Sequence, residues 1–166
     1  MIDIKRVNYK LVSALPTTLR QLNRYAPKAA QVKVLQLAIN QFFKKELQNS
    51  ELDFLQEKQL VIVVSDIALQ FGISLNDRKL QVQLNPTQPA LLLTAELADF
   101  VAMMSNTTDP DTLFFRRRLQ LLGDTELGLY CKNLLDSIGP DRLPPLLSEG
   151  LSWLAQQHAL IAATAD

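Results

Sequence analysis

Apolar residues recur every three to four positions in the first third of the chain and every second position in the next. Val7, Leu11, Leu15, Leu19 and Leu22 form one helical stripe over residues 1–26. Pro16 interrupts that stripe, so the pattern predicts two short helices or a kink. Pro27 suits the first position of the next helix. Over residues 28–48, Val32, Leu35, Ile39 and Phe42 share a face, with Phe43 and Leu47 nearby, which predicts one amphipathic helix.

From residue 52 the period changes. Leu60 to Val64 is a β-branched run, and Ile67, Leu69, Phe71, Ile73 and Leu75 alternate strictly, as a half-buried strand does. Asn76-Asp77-Arg78 is a turn, Leu80, Val82 and Leu84 alternate again, and Asn85 to Pro89 is a loop of breakers. Ala90 to Ala95 makes a fourth strand, and short connections favour antiparallel neighbours. Residues 96–105 return to helix with Leu97, Phe100, Val101 and Met104 on one face. Asn106 to Asp111 reads as a polar loop and Arg116 to Leu122 as a fifth strand. Asp124 is a candidate N-cap, with Glu126 in the first turn, for a helix turning Leu127, Tyr130 or Cys131, Leu134 and Ile138 inward. Gly139-Pro140 ends it, and a last helix spans roughly 143–161 with Leu147, Leu151, Trp153 and Leu154. Strands and helices segregated in this way predict an α+β fold, with helices on one face of a mostly antiparallel five-stranded sheet.

Composition narrows the function classes. The 166 residues are 48% apolar and 20% charged with zero formal net charge, which suits one globular domain and not a general nucleic-acid binder. Charge is unevenly placed: through Lys33 there are seven basic residues against a single acid, Asp3. A basic head on an acidic body points to a negatively charged partner, such as an anionic membrane surface or an acidic protein. The single cysteine, Cys131, cannot form an internal disulfide, so a reducing, cytoplasmic setting is expected. No apolar run reaches 18 residues, and no secretory signal is read at the N-terminus.

Reactive chemistry is sparse. His158 is the only histidine and stands on a late helix without metal-ligand spacing around it. No nucleophile elbow or glycine-rich phosphate cradle occurs, and the chain holds five glycines in all. Neither catalytic residues, nor a metal, nor a cofactor is expected. The carboxylate pairs Asp109 with Asp111 and Asp124 with Glu126 read first as loop and cap chemistry. Arg116-Arg117-Arg118 suits phosphate, of a lipid headgroup or of nucleic acid, but on a strand Arg117 opposes its neighbours and the run reads as a solvated edge. Gly128, inside a helix, points to close helix–sheet packing, with lipid contact second.

Apolar bulk is the most prominent feature. Adjacent pairs Phe42-Phe43, Met103-Met104 and Phe114-Phe115 cannot both face the sheet centre, so one of each meets another apolar body or water. Plain core packing and a cavity for an apolar guest both remain open on this pattern.

The run Asp109-Pro110-Asp111-Thr112-Leu113-Phe114-Phe115-Arg116-Arg117-Arg118-Leu119, then Gly123-Asp124-Thr125-Glu126-Leu127-Gly128-Leu129, then Lys132-Asn133-Leu134 and Asp136, resembles the sterol carrier protein 2 (SCP2) lipid-binding family. The likeness extends from about Ala30 to about Ala155; the leader, residues 1–27, matches only loosely. It implies a five-stranded sheet covered by helices, with an apolar lipid tunnel between the layers and no enzymatic activity. More narrowly, the chain is similar to the branch implicated in oxygen-independent ubiquinone (coenzyme Q) biosynthesis. That branch implies a lipid partner (a polyprenylated quinone precursor, a phospholipid or a fatty acyl chain) and protein partners such as UbiU–UbiV-type hydroxylases. The resulting division is a basic amphipathic segment, 1–27, and an SCP2-like domain, 28–162. Candidate cavity residues are Phe42, Phe43, Phe71, Leu93, Phe100, Met103, Met104, Phe114, Phe115, Leu127, Tyr130 and Leu134. Candidate membrane contacts, for a protein peripheral at the inner membrane, are Lys5, Arg6, Lys10, Leu11, Leu15, Arg20 and Arg24. The alternative is an assembly scaffold that uses its apolar surface as a protein interface and carries no lipid.

Overall fold

The computed structural model describes residues 16–139. Lys5, Arg6, Lys10, Leu11 and Leu15, the expected last helix and His158 lie outside the described residues.

Helix α1 occupies the described residues 16–25. It is followed by α2 (Lys28–Phe42) and α3 (Lys44–Gln48). The single helix expected over 28–48 is therefore divided at Phe43, where φ is −94° and ψ 21°. Hydrogen bonding continues through the division, from Phe43 N to Ile39 O and from Leu47 N to Phe43 O, so Phe43 and Leu47 stay on the core-facing stripe with Val32, Leu35 and Ile39. A short 3-10 turn, Asp53–Leu55, leads into β1 (Leu60–Val64), β2 (Leu69–Asn76), β3 (Lys79–Gln83) and β4 (Leu91–Ala95). Then come α4 (Leu97–Met104), α5 (Pro110–Phe115), β5 (Gln120–Gly123) and α6 (Thr125–Ser137).

The five strands form one sheet in the order β3-β2-β1-β4-β5. Three pairings are antiparallel, but β4 lies parallel to β1, so the sheet is mixed. The short β3–β4 connection does not make those strands neighbours; it crosses the end of the sheet and brings Pro86 over Gly72, where a Cβ would stand 3.0 Å from it. Register aligns Phe71, Ile62, Leu93 and Leu121 across four strands. The residues two positions away share that face, and these are the strand residues of the core, with side chains from α2, α5 and α6 packed on them. The described helices thus cover one face, as the segregated pattern predicts.

Four local expectations are corrected. Ile67 lies in a turn, residues 65–68, not in β2, although it is buried. Residues 110–115 are helical, because the Asp109 side chain accepts from Thr112 N and Pro110 takes the first turn, where its missing N–H costs nothing. Arg116 to Arg118 consequently leave a helix through a turn, and β5 begins only at Gln120. On α4, Val101, Ala102 and Met103 are the fully buried apolar residues, and Leu97, Phe100 and Met104 only partly so. Asp99 shares the buried side, since it is ion-paired there with Arg118.

Edge strand β3 is finished by two amides. Asn40 on α2 donates to Leu80 O at 2.8 Å and accepts from Leu80 N at 3.0 Å, and Gln36 Oε1 accepts from Val82 N. These bonds satisfy backbone groups that an open edge would leave for another chain. They also hold α2 along β3, at one end of the sheet, while α6 packs over β4 and β5 at the other.

Candidate functional site

Central strand β1 lies between those two helices. Leu60 and Val64, near its ends, are buried, yet Ile62 between them is partly accessible. Its cross-strand partners Phe71 and Leu93 are 7% and 4% exposed. A filled core excludes water from the middle of a helix-covered sheet, so the partial accessibility of Ile62 sets it apart from its buried neighbours. Leu35, Ile39, Phe43, Phe100 and Leu134 are likewise partly accessible while packed against the core.

The twelve candidate cavity residues divide around this place. Phe43, Phe71, Leu93, Phe100, Met103, Leu127 and Leu134 belong to the core or pack on it. Phe42 touches Phe43 edge to face at 4.9 Å and, like Met104, is partly accessible. Phe114, Phe115 and Tyr130 instead face outward at 48%, 81% and 49% exposure, so they are not enclosed with the others. On α6 the inward position falls to Cys131, with Leu127 and Ile138, while Tyr130 stacks on Phe54 at 5.5 Å. Ile62 was not among the candidates; a β-branched run gives no sign of which member will be left uncovered. Gly128 is buried, and a Cβ there would lie 3.4 Å from Leu121 and 3.7 Å from Leu91, ordinary contact distances, so α6 packs on the sheet here without an approach close enough to require glycine.

The carboxylates and lysines near the sheet ends are occupied structurally, whereas the buried Gln31 Oε1 has no hydrogen-bond partner among the described residues. Asp109 caps α5 and Asp124 caps α6, and each carboxyl is held below its ordinary value, Asp109 by the Thr112 hydroxyl and N–H, Asp124 by Leu127 N and then Lys58. Lys58 Nζ sits 3.0 Å from Asp124 and Lys132 Nζ 2.8 Å from Asp111. Burial pushes the Cys131 thiol up to about 12, which removes thiolate reactivity at neutral pH. Among the described residues no three His, Cys, Asp or Glu side chains are grouped to hold a metal ion, and no helix is long and apolar enough to cross a membrane. A separate cleft of about 380 Å³ between α1, α2 and the β2–β3 end of the sheet is lined by polar groups, including Asn23, Lys28, Gln70 and Asn85. Asn23 also donates to Ala68 O at 2.9 Å and fastens α1 to the domain. Arg20 and Arg24, the two described membrane candidates, are exposed, and Arg24 lies over the Tyr25 ring.

This arrangement has known counterparts. Residues 37–136 match the model of the SCP-2 sterol transfer family. The chain is 37% identical, over 93% of its length and 87% of theirs, to the ubiquinone biosynthesis accessory factor UbiT of Escherichia coli strain K12 and of Escherichia coli O157:H7. Among solved structures, the ubiquinone synthesis protein UbiJ-SCP2 superposes with a TM-score of 0.55 at 14% identity, over 66% of this chain and 96% of that one, a likeness of fold. The chain belongs to the SCP-2 sterol transfer family.

Proposed function

We propose that the protein is a non-catalytic, lipid-binding accessory factor of ubiquinone biosynthesis. It takes the tail of a polyprenylated quinone precursor, or a phospholipid, into the space over Ile62 and presents the head to oxygen-independent hydroxylases of the UbiU–UbiV type. Identity to UbiT over nearly the whole chain supports the accessory role. The observation that carries lipid binding is the accessible Ile62 on the central strand, flanked by its cross-strand partners Phe71 and Leu93. Burying each methylene-sized group from water gains about 0.8 kcal/mol. A polyprenyl tail therefore exceeds an association cost of about 4–15 kcal/mol. Drawn from a bilayer, the same tail gains little, so the protein exchanges cargo at a cytoplasmic membrane face instead of holding it permanently. The basic segment 1–27 assists at that surface.

Organic extraction of the purified full chain, with mass spectrometry of the extract, tests this reading. One isoprenoid quinone precursor or phospholipid per chain is expected; protein free of stoichiometric lipid overturns it. That second result is what an assembly scaffold gives, a reading favoured by the outward-facing Leu122 and Leu129, 71% and 56% exposed.

A further inference from the structure

The last turn of α5 and the turn that joins it to β5 carry two exposed aromatics followed by two exposed cations. Phe114 and Phe115 are 48% and 81% exposed, and their rings meet edge to face with centroids 5.9 Å apart. They form one apolar knob. Arg116 and Arg117 come next, both exposed, and neither has a carboxylate partner among the described residues. The carboxylates of α5 lie toward its other end and are engaged, Asp109 with Thr112 and Asp111 with Lys132.

The support beneath the knob is firm. Leu113 and Leu119 are buried, and Arg118 reaches inward to Asp99 at 2.7 Å. The turn also closes its own backbone: Arg117 N donates to Phe114 O, and Arg118 N and Leu119 N both donate to Leu113 O. A tip whose amides are satisfied internally enters apolar surroundings without stranding N–H groups.

We propose that this turn docks the protein on an anionic phospholipid surface. Phe114 and Phe115 enter the boundary between headgroups and acyl chains, and Arg116 and Arg117 sit at the level of the phosphates. Exposed apolar area alone would suit many partners; the exposed cations beside it, without a carboxylate partner among the described residues, select a negatively charged one, and the short, rigid projection suits an interface more than a groove. The proposal does not rest on lipid carriage, since a protein can bind a bilayer with or without cargo.

Binding of the full chain to vesicles of phosphatidylcholine with phosphatidylglycerol, and to phosphatidylcholine alone, tests it. Parent protein is expected to bind the anionic vesicles more tightly. Phe114→Ser with Phe115→Ser should weaken that binding by about tenfold or more. Arg116→Gln with Arg117→Gln should weaken it by about thirtyfold at low salt, with a difference that shrinks as salt is raised. Val34→Ser with Leu37→Ser, removing exposed apolar area from α2, should bind like the parent. All four substituted residues, Phe114 to Arg117, are exposed, so melting temperatures should stay near the parent's; Phe115→Ser alone, at the more exposed ring, repeats the test with the least disturbance. Either double variant binding like the parent, or a parent that leaves anionic vesicles unbound, overturns the proposal. A parent that carries lipid but ignores vesicles sinks the docking surface and spares the carrier; a lipid-free parent held on vesicles through this turn does the reverse.

Discussion

Two glycines near the β5–α6 junction answer to different demands. Gly123 has φ +129°, and a Cβ there would collide with the carbonyl oxygen of Ala90, just before β4. Gly123→Ala is expected to destabilise by about 2 kcal/mol or more, since both strain and contact oppose it. Gly128 has room for a methyl group at ordinary contact distance from Leu121 and Leu91. Gly128→Ala should be neutral or stabilising by up to about 1 kcal/mol through helix propensity, whereas Gly128→Leu should be destabilising. Urea unfolding of the three variants checks the ordering. Arg118 and Asp99 are coupled more tightly than their separation in sequence implies. Burial raises the Asp99 carboxyl above its ordinary value, and the Arg118 guanidinium pulls it back in part. Because the folded chain holds this proton more tightly than the unfolded one, stability from Asp99 falls as pH rises from the ordinary carboxylate value through the raised one. Arg118→Ala should cost about 2–3 kcal/mol at neutral pH by leaving a buried charge unpaired. Denaturation in mildly acid buffer should show a smaller loss, because a protonated Asp99 needs no cation.

At the scale of elements, capping explains both where the sequence was legible and where it was misleading. Asp124 before an apolar periodic run is a helix start by any reading, and α6 begins there. Asp109-Pro110 carries the same signature, an N-cap followed by proline in the first turn, yet the polar run Asn106 to Asp111 reads as a loop. Helix α5 has only six residues, too few for periodicity to assert itself over composition. Asp124→Ala should lower the melting temperature at neutral pH by removing both the α6 cap and the Lys58 partner. Since the folded Asp124 carboxyl is depressed, its contribution is present above the ordinary carboxylate value and lost as pH falls through the lower, folded one. Melting curves of parent and variant should therefore converge in strong acid; a constant gap at every pH would contradict this. Strand β5 was expected too early for a related reason. Arg116 to Leu119 look extended by side-chain type, but the C-terminal turn of α5, with Arg117 at φ 59°, consumes them.

For the whole molecule, the decisive arrangement is two helices standing over opposite ends of a sheet. Asn40 and Gln36 hold α2 at the β3 edge, and Leu127 and Cys131 hold α6 over β4 and β5. Ile62 is left between them. Ile62→Trp should occupy that space, reducing the lipid recovered per chain severalfold while the protein remains folded by circular dichroism; undiminished lipid would place the cargo elsewhere. Periodicity, turn residues and caps were enough to establish an α+β chain with five strands in sequence and helices on one side, because those features depend on neighbours within a few residues. They could not establish that β4 runs beside β1, that Arg118 turns inward while Arg116 and Arg117 stay outside, or that Ile62 alone on its strand's covered face stays partly accessible. Each of these depends on residues about 20 or more positions apart meeting across the sheet, and side-chain type says nothing about which partner arrives.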